Sequence, residues 1–248
     1  MFKTGVVSVS FRKLSVDDVI KYAKEAGLAY IEWGSDVHAP YTDTERIEYI
    51  AAEQKKAGLA CSSYGTYFRL GEHDTEELCG YIAAAKKLGT DILRLWCGSK
   101  NYADMTAEEQ DFIIAESKKA AKRAESEGVI LCMECHNKTF TNTLEGALRL
   151  MEAVNSPAFR MFWQPSTTAS VEDNLIYASA IAKYTYNIHV FYYEDGVKHP
   201  LADGTEAWHR YLSCFDGNQA LLLEFMYDGR VESLSSEAAA LNAIAKDF

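Results

Sequence analysis

Proline and glycine are scarce in this chain of 248 residues, at 4 and 15, too few for a disordered, collagen-like or linker-rich polypeptide. No apolar run approaches the roughly 18 residues needed to cross a bilayer. The opening segment lacks the apolar core of a signal peptide before Arg12 and Lys13 interrupt it. Basic residues are outnumbered, 25 Lys and Arg against 36 Asp and Glu, which leaves a formal charge of −11. That field repels phosphate backbones and speaks against duplex nucleic acid as a partner. The six cysteines (61, 79, 97, 132, 135 and 214) show no small-domain disulfide spacing. Free thiols, a reducing compartment and a soluble cytoplasmic protein are therefore expected. Neither a G-x-G-x-x-G turn nor a Walker sequence occurs, so the usual mark of an open nucleotide-binding sheet is missing.

What is present is alternation. Apolar runs at 5–9, 28–33, 59–64, 92–96, 129–136, 159–164, 186–191 and 220–226 predict eight strands. Amphipathic stretches follow each of them. Ser15 opens the first, with Val16, Val19, Ile20 and Ala23 on one stripe, and Gly27 closes it. Others run from about Thr44 to Gly58, from Asp74 to Gly89 and from Thr106 to Gly128, with further helices near 143–154, 171–183, 205–213 and 234–246. Ala-Gly-Leu-Ala recurs at 26–29 and 57–60, each time between helix and strand, as a repeated βα unit would have it. Eight strand-then-helix units without a composition break predict a single α/β domain, a closed (β/α)8 TIM barrel.

In such a barrel chemistry sits where strands end at the C-terminal face. The fifth strand carries Glu134 inside an apolar run, the sixth ends on Gln164, the seventh on His189, and the eighth on Glu224 after three leucines. A lone buried carboxylate is costly, so two of them need partners. One divalent cation would satisfy all four groups at once. The hard O/N donor set favours Mn²⁺, with Mg²⁺, Co²⁺ or Zn²⁺ as alternatives. The competing account pairs either glutamate with Arg94. Other candidates line up around them. Glu32 is read as a substrate ligand or a salt-bridge partner, His38 as a pocket or loop residue, and Arg94 and Trp96 as sharing one face of strand four. His136 falls on the face of Glu134, and Lys198 and His199 precede Pro200 in the loop after strand seven. Cys132 and Cys135 lie three apart on a strand, so they face opposite ways and make a poor redox pair.

The order Glu134, Gln164, His189, Glu224 resembles the xylose-isomerase-like TIM barrels, which usually show Glu, Asp, His, Glu at these strand ends. Gly27-Leu28 with Tyr30, Ile31 and Glu32, the segment Glu134-Cys135-His136, the run His189-Val190-Phe191, and Pro200-Leu201 with Gly204, Trp208, Tyr211 and Leu212 extend the resemblance over the chain. The resemblance implies a metal-dependent isomerase or epimerase of a sugar, keto-sugar or inosose. In that picture Glu134 and Glu224 act as ligands and acid/base groups and His189 as a ligand, with the proton moving through an enediolate. Substrate contacts would come from Glu32, His38, Arg94, Trp96, His136 and His199. A homo-oligomer is an expectation on resemblance alone. Two positions depart from the pattern: Gln164 stands for the usual Asp, and Thr167 for a frequent histidine. The alternatives are a dehydratase of a cyclic polyol-ketone on the same site, or a non-catalytic sugar-binding barrel. A DNA-repair role like that of endonuclease IV, also of this superfamily, fits poorly with six histidines and the acidic charge.

Overall fold

The structure, a computed structural model, describes residues 2–248. Strand and helix alternate as the patterning predicts: β1 (Lys3–Val7), α1 (Val16–Glu25), β2 (Tyr30–Gly34), α2 (Thr44–Ala57), β3 (Ala60–Leu70), α3 (Leu78–Leu88), β4 (Ile92–Cys97) and α4 (Ala107–Glu127). There follow β5 (Ile130–Glu134), α5 (Leu144–Val154), β6 (Phe159–Trp163), α6 (Val171–Ile181) and β7 (Thr185–Val190). A small antiparallel hairpin, β8 (Tyr192–Glu194) with β9 (Val197–His199), precedes α7 (Thr205–Leu212), β10 (Ala220–Leu223) and α8 (Leu234–Ala245). The eight parallel strands close in the order β1-β10-β7-β6-β5-β4-β3-β2, which is the (β/α)8 barrel. No helix among the described residues is long and apolar enough to cross a membrane.

Local chemistry sets the element ends. Ser15 and Thr106 accept hydrogen bonds from the backbone N–H groups of Asp18 and Glu109, and Glu109 returns a bond to Thr106, a complete capping box. The two Ala-Gly-Leu-Ala segments are the same device used twice. Gly27 and Gly58 take left-handed φ values of 71° and 80°, and the next N–H, on Leu28 or Leu59, folds back to Ala23 or Gln54. The chain thus turns from helix into the neighbouring strand.

Two apolar regions result. A large one lies between the sheet and the helices, with Trp33, Trp163 and Trp208 fully buried. A small plug of Val7, Val9, Cys132, Phe162, Ala220 and Leu222 fills the cylinder. Cys132 and Glu134 share a strand face by alternation, so the polar groups at the strand ends stand on this plug. Cys132 and Cys135 are buried free thiols, and burial pushes Cys135 up to about 12, so the pair stays protonated and unlinked.

Candidate active site

β5 ends on Glu134, and its side chain is held from two sides. Oε2 accepts hydrogen bonds from Arg94 Nη1 at 2.7 Å and Trp96 Nε1 at 2.5 Å, while Oε1 lies 3.2 Å from His189 Nδ1. Arg94 and Trp96 both reach it because they sit two apart on β4, on one face, as their spacing predicts. Arg94 Nε also donates to Glu32 Oε1 at 2.9 Å, and Glu32 Oε2 lies 3.4 Å from His189 Nε2. Glu32, Arg94, Glu134 and His189 therefore form a closed ring of alternating charge inside the barrel, each 2% exposed or less. Ser63 Oγ adds a hydrogen bond to Glu32 Oε2 at 2.8 Å.

Gly65 makes room for this ring. A Cβ built there would lie 2.5 Å from Glu32 Oε1 and 2.9 Å from Arg94 Nη2. Ser63 and Gly65, two apart on β3, support the ring and are positions that the sequence reading passed over. Their signal is the pair of small residues Ser63-x-Gly65 on one face of the strand, either side of the bulky Tyr64. Phe225 was also missed. It follows Glu224 with φ 52°, in the left-handed region, and its N–H donates to Ser10 Oγ at 2.8 Å.

His189 Nδ1 faces the strand-end oxygens. Besides Glu134 Oε1 it meets Gln164 Oε1 at 3.1 Å and Glu224 Oε2 at 3.5 Å. One donor atom each of Glu134, His189 and Glu224 lie within 4.8 Å of one another, a spacing that a single metal ion can bridge. Gln164 turns its carbonyl oxygen to the same point because its Nε2 donates to the Cys135 carbonyl at 3.0 Å. Charge also suits a divalent cation. With the imidazole neutral, the carboxylates of Glu32, Glu134 and Glu224 against one guanidinium leave two negative charges in a nearly dry site. Gln164 in place of an acid keeps that sum at two. The residues present fit a divalent metal.

Without it, the protons arrange themselves around the charges. Burial alone would raise Glu134, but the Arg94 guanidinium outweighs it and holds the carboxyl well below its usual range. Burial would also lower His189, but the charges of Glu224 and Glu32 carry it up to about 10. Burial raises Glu224 above its ordinary value, against the pull of His189. The two glutamates thus sit in opposite environments. Glu134 is ionised and pinned, whereas Glu224 accepts no hydrogen bond from a described residue and faces a cavity of about 390 Å³.

That cavity is lined by Trp96, His136 and Gln164, with Arg12 and Tyr67 paired on one side and Lys198 on the hairpin at the other. His136 sits against Trp96, ring centres 5.1 Å apart, on the wall where alternation places it.

Three expectations need correction. His38 is not a loop residue in solvent and does not line the cavity. It is fully buried, its Nε2 on the Leu14 carbonyl at 3.1 Å and its ring edge-on to Trp33. Of the two readings of Glu32 the salt-bridge partner holds and the substrate ligand does not, because Arg94 and Ser63 keep it in the ring beneath the cavity. His199 is turned away by the hairpin, where strand alternation sends it toward Tyr192 and gives the cavity face to Lys198. The eighth strand also stops earlier than its apolar run, at Leu223, although the Glu224 N–H still reaches the Val190 carbonyl at 3.0 Å.

Comparison with known proteins agrees with this fold. Residues 20–227 match the family model described as xylose isomerase-like TIM barrel. A curated 3-dehydroshikimate dehydratase of Bacillus anthracis is 24% identical over 168 residues, 64% of this chain, and the match spans 60% of that protein's length. A crystal structure of a probable 3-DHS dehydratase involved in petrobactin synthesis, also from Bacillus anthracis, superposes with a TM-score of 0.80 at 18% identity, covering 98% of this chain and 99% of that one. An L-ribulose 3-epimerase superposes with a TM-score of 0.76 at 15% identity, covering 100% of this chain and 95% of the other. At these identities the structural likeness speaks for the fold.

Proposed function

The chain belongs to the xylose isomerase-like TIM barrel family, and from that premise we propose that it is a divalent-metal-dependent isomerase or epimerase of a sugar, keto-sugar or inosose-type small molecule. The observation that carries this reading is the convergence of Glu134, Gln164 and Glu224 oxygens on His189 Nδ1 at 3.2, 3.1 and 3.5 Å. Those four residues would hold the metal. When bound, a divalent cation supplies Lewis acidity, polarising a substrate carbonyl and offsetting the negative charge that builds up as a neighbouring C–H bond breaks.

The chain's own groups do the rest. Arg94 and Trp96 fix Glu134 and keep it ionised, which suits a ligand more than a proton carrier. Glu224 faces the cavity without a hydrogen-bond donor and is raised toward the range where a carboxyl can take and return a proton. Trp96 and His136, their rings tilted by 42° to each other, give the cavity an aromatic wall against which a sugar face can pack.

One observation favours a second reading, a dehydratase of a cyclic polyol-ketone. Glu224 is the one unpinned carboxylate here, and a single group that takes the proton next to the carbonyl and passes it to the departing hydroxyl suffices to release water. Epimerisation needs acid/base groups on both faces. The similarity to a 3-dehydroshikimate dehydratase points the same way.

Incubation of Mn²⁺-loaded protein in D₂O with a panel of ketoses and cyclic polyol-ketones tests both. An isomerase or epimerase should bring deuterium to the carbon next to the carbonyl, whereas a dehydratase should lose that hydrogen together with the hydroxyl as water and give the unsaturated ketone. Ligand binding with neither exchange nor product would contradict the enzymatic reading and favour a non-catalytic sugar-binding barrel.

A further inference from the structure

The ring inside the barrel contains one carboxylate that the proposed chemistry does not use. Glu32 is fully buried, does not line the cavity and is not one of the three groups whose donor atoms converge there. Burying a charge there is costly unless it is paired, and Arg94 supplies the pair. Its surroundings hold it in one pose. Arg94 Nε takes Oε1 at 2.9 Å, Ser63 Oγ takes Oε2 at 2.8 Å, and the missing side chain of Gly65 leaves the space that the carboxylate fills.

Oε2, so placed, faces His189. It lies 3.4 Å from Nε2, an atom that is fully buried and has no closer hydrogen-bond partner among the described residues. The opposite nitrogen, Nδ1, is the one directed at Glu134, Gln164 and Glu224. A neutral imidazole carries one N–H, and the neighbour of each nitrogen decides which one keeps it. A carboxylate behind Nε2 keeps the hydrogen there and leaves the Nδ1 lone pair facing the strand ends.

Building on the metal site of the preceding reading, we propose that Glu32 is a positioning residue, which fixes the tautomer and ring orientation of His189 so that Nδ1 is the metal-binding atom. Carboxylates placed behind ligating histidines characteristically change metal affinity by about 10- to 100-fold. The same role explains why Arg94 contacts two glutamates. It neutralises the positioning carboxylate and the ligand together, so neither is buried as a bare charge.

The substitution Glu32→Gln tests this by chemistry more than by volume. Arg94 has no acceptor atom, so the new amide must present its oxygen to Arg94 and its NH₂ toward His189. A donor then faces Nε2 and favours the tautomer with hydrogen on Nδ1, the wrong one. Mn²⁺ titration of the full chain by calorimetry should show Glu32→Gln binding about 10- to 100-fold more weakly than wild type. Ser63→Ala, which removes a bond to the same carboxylate but leaves an acceptor facing His189, should bind Mn²⁺ nearly as wild type does. A purely structural Glu32 would lower thermal stability without separating these two variants in Mn²⁺ affinity.

Should Glu32→Gln fail to fold, wild type decides alone. In Zn²⁺-loaded, ¹⁵N-histidine-labelled protein, long-range ¹H–¹⁵N spectra should show His189 coordinated through Nδ1 with hydrogen on Nε2. Coordination through Nε2, or equal Mn²⁺ affinity in Glu32→Gln and wild type, overturns the role of Glu32 and leaves the metal site standing. A wild type that takes up no Mn²⁺ removes both.

Discussion

Replacing Gly65 by alanine should change stability in a direction that by itself decides whether the buried ring is built as described. Gly65 lies in β3 and does not have a left-handed φ, so alanine is compatible with its backbone. In an open strand such a change stabilises a protein by roughly 0.4–1 kcal/mol, because the unfolded chain loses freedom. Here the added methyl group meets Glu32 Oε1 at 2.5 Å and Arg94 Nη2 at 2.9 Å. Neither atom can retreat easily, since Glu32 is tied to Ser63 and Arg94 to Glu134. Overpacking a core costs about 1–3 kcal/mol, and loosening a buried ion pair costs up to about 3–5 kcal/mol. Offset by the unfolded-state gain, the net expectation is a loss of about 2–4 kcal/mol. For a chain of this size that lowers Tm by roughly 5–15 °C. Thermal unfolding of metal-free wild type and Gly65→Ala, followed by circular dichroism, measures it. An alanine variant as stable as wild type, or more so, would refute the tight ring at this position.

The remaining expectations concern the two strand-end glutamates, protons and strain. Glu224→Gln should cut turnover by about 10²–10⁴-fold with stability unchanged, and full activity would rule out its proton role. Glu134→Gln should lose turnover too and also about 1–3 kcal/mol of stability, because Arg94 then faces a neutral acceptor; chemical denaturation compares the two. His189 in the metal-free protein is protonated up to about pH 10. Mn²⁺ must displace that proton, so affinity should rise about tenfold per pH unit between roughly pH 6.5 and 8.5. Calorimetry in buffers of different ionisation enthalpy should find about one proton released, and pH-independent binding would contradict it. The same raised value stabilises the metal-free fold fully below the unfolded histidine value near 6.5, with the contribution lost as pH climbs through about 10. Phe225→Gly relieves a left-handed backbone at φ 52°, so stability should hold or rise by up to about 1 kcal/mol while substrate affinity falls. A stability loss above that would show that the side chain packs more than it strains.

Much of the fold was legible because two periodicities do not mix. Apolar runs of about five residues between capped, glycine-closed helices leave little besides a parallel closed sheet, and the strand ends then nominate Glu134, Gln164, His189 and Glu224 by position. The alternation that puts Arg94 and Trp96 on one face also put them in the right place. Lateral relations were not legible. Nothing in the chain says that Arg94 of β4 bridges Glu32 of β2 and Glu134 of β5, because that depends on strand stagger and on an empty space at Gly65. His38 and His199 failed for a related reason. His38 turns inward onto the carbonyl of Leu14, 24 residues away in the chain, and His199 lies in a short hairpin strand whose phase depends on its pairing with Tyr192.

The central claim is that four strand ends bind one divalent ion, and a crystal of the protein grown with Mn²⁺ and measured at the manganese absorption edge tests it most directly. One anomalous peak is expected, in bonding contact with Glu134 Oε1, Gln164 Oε1, His189 Nδ1 and Glu224. Absence of a peak there under saturating Mn²⁺, with His189 still bridging Glu32 and Glu134, would contradict the account.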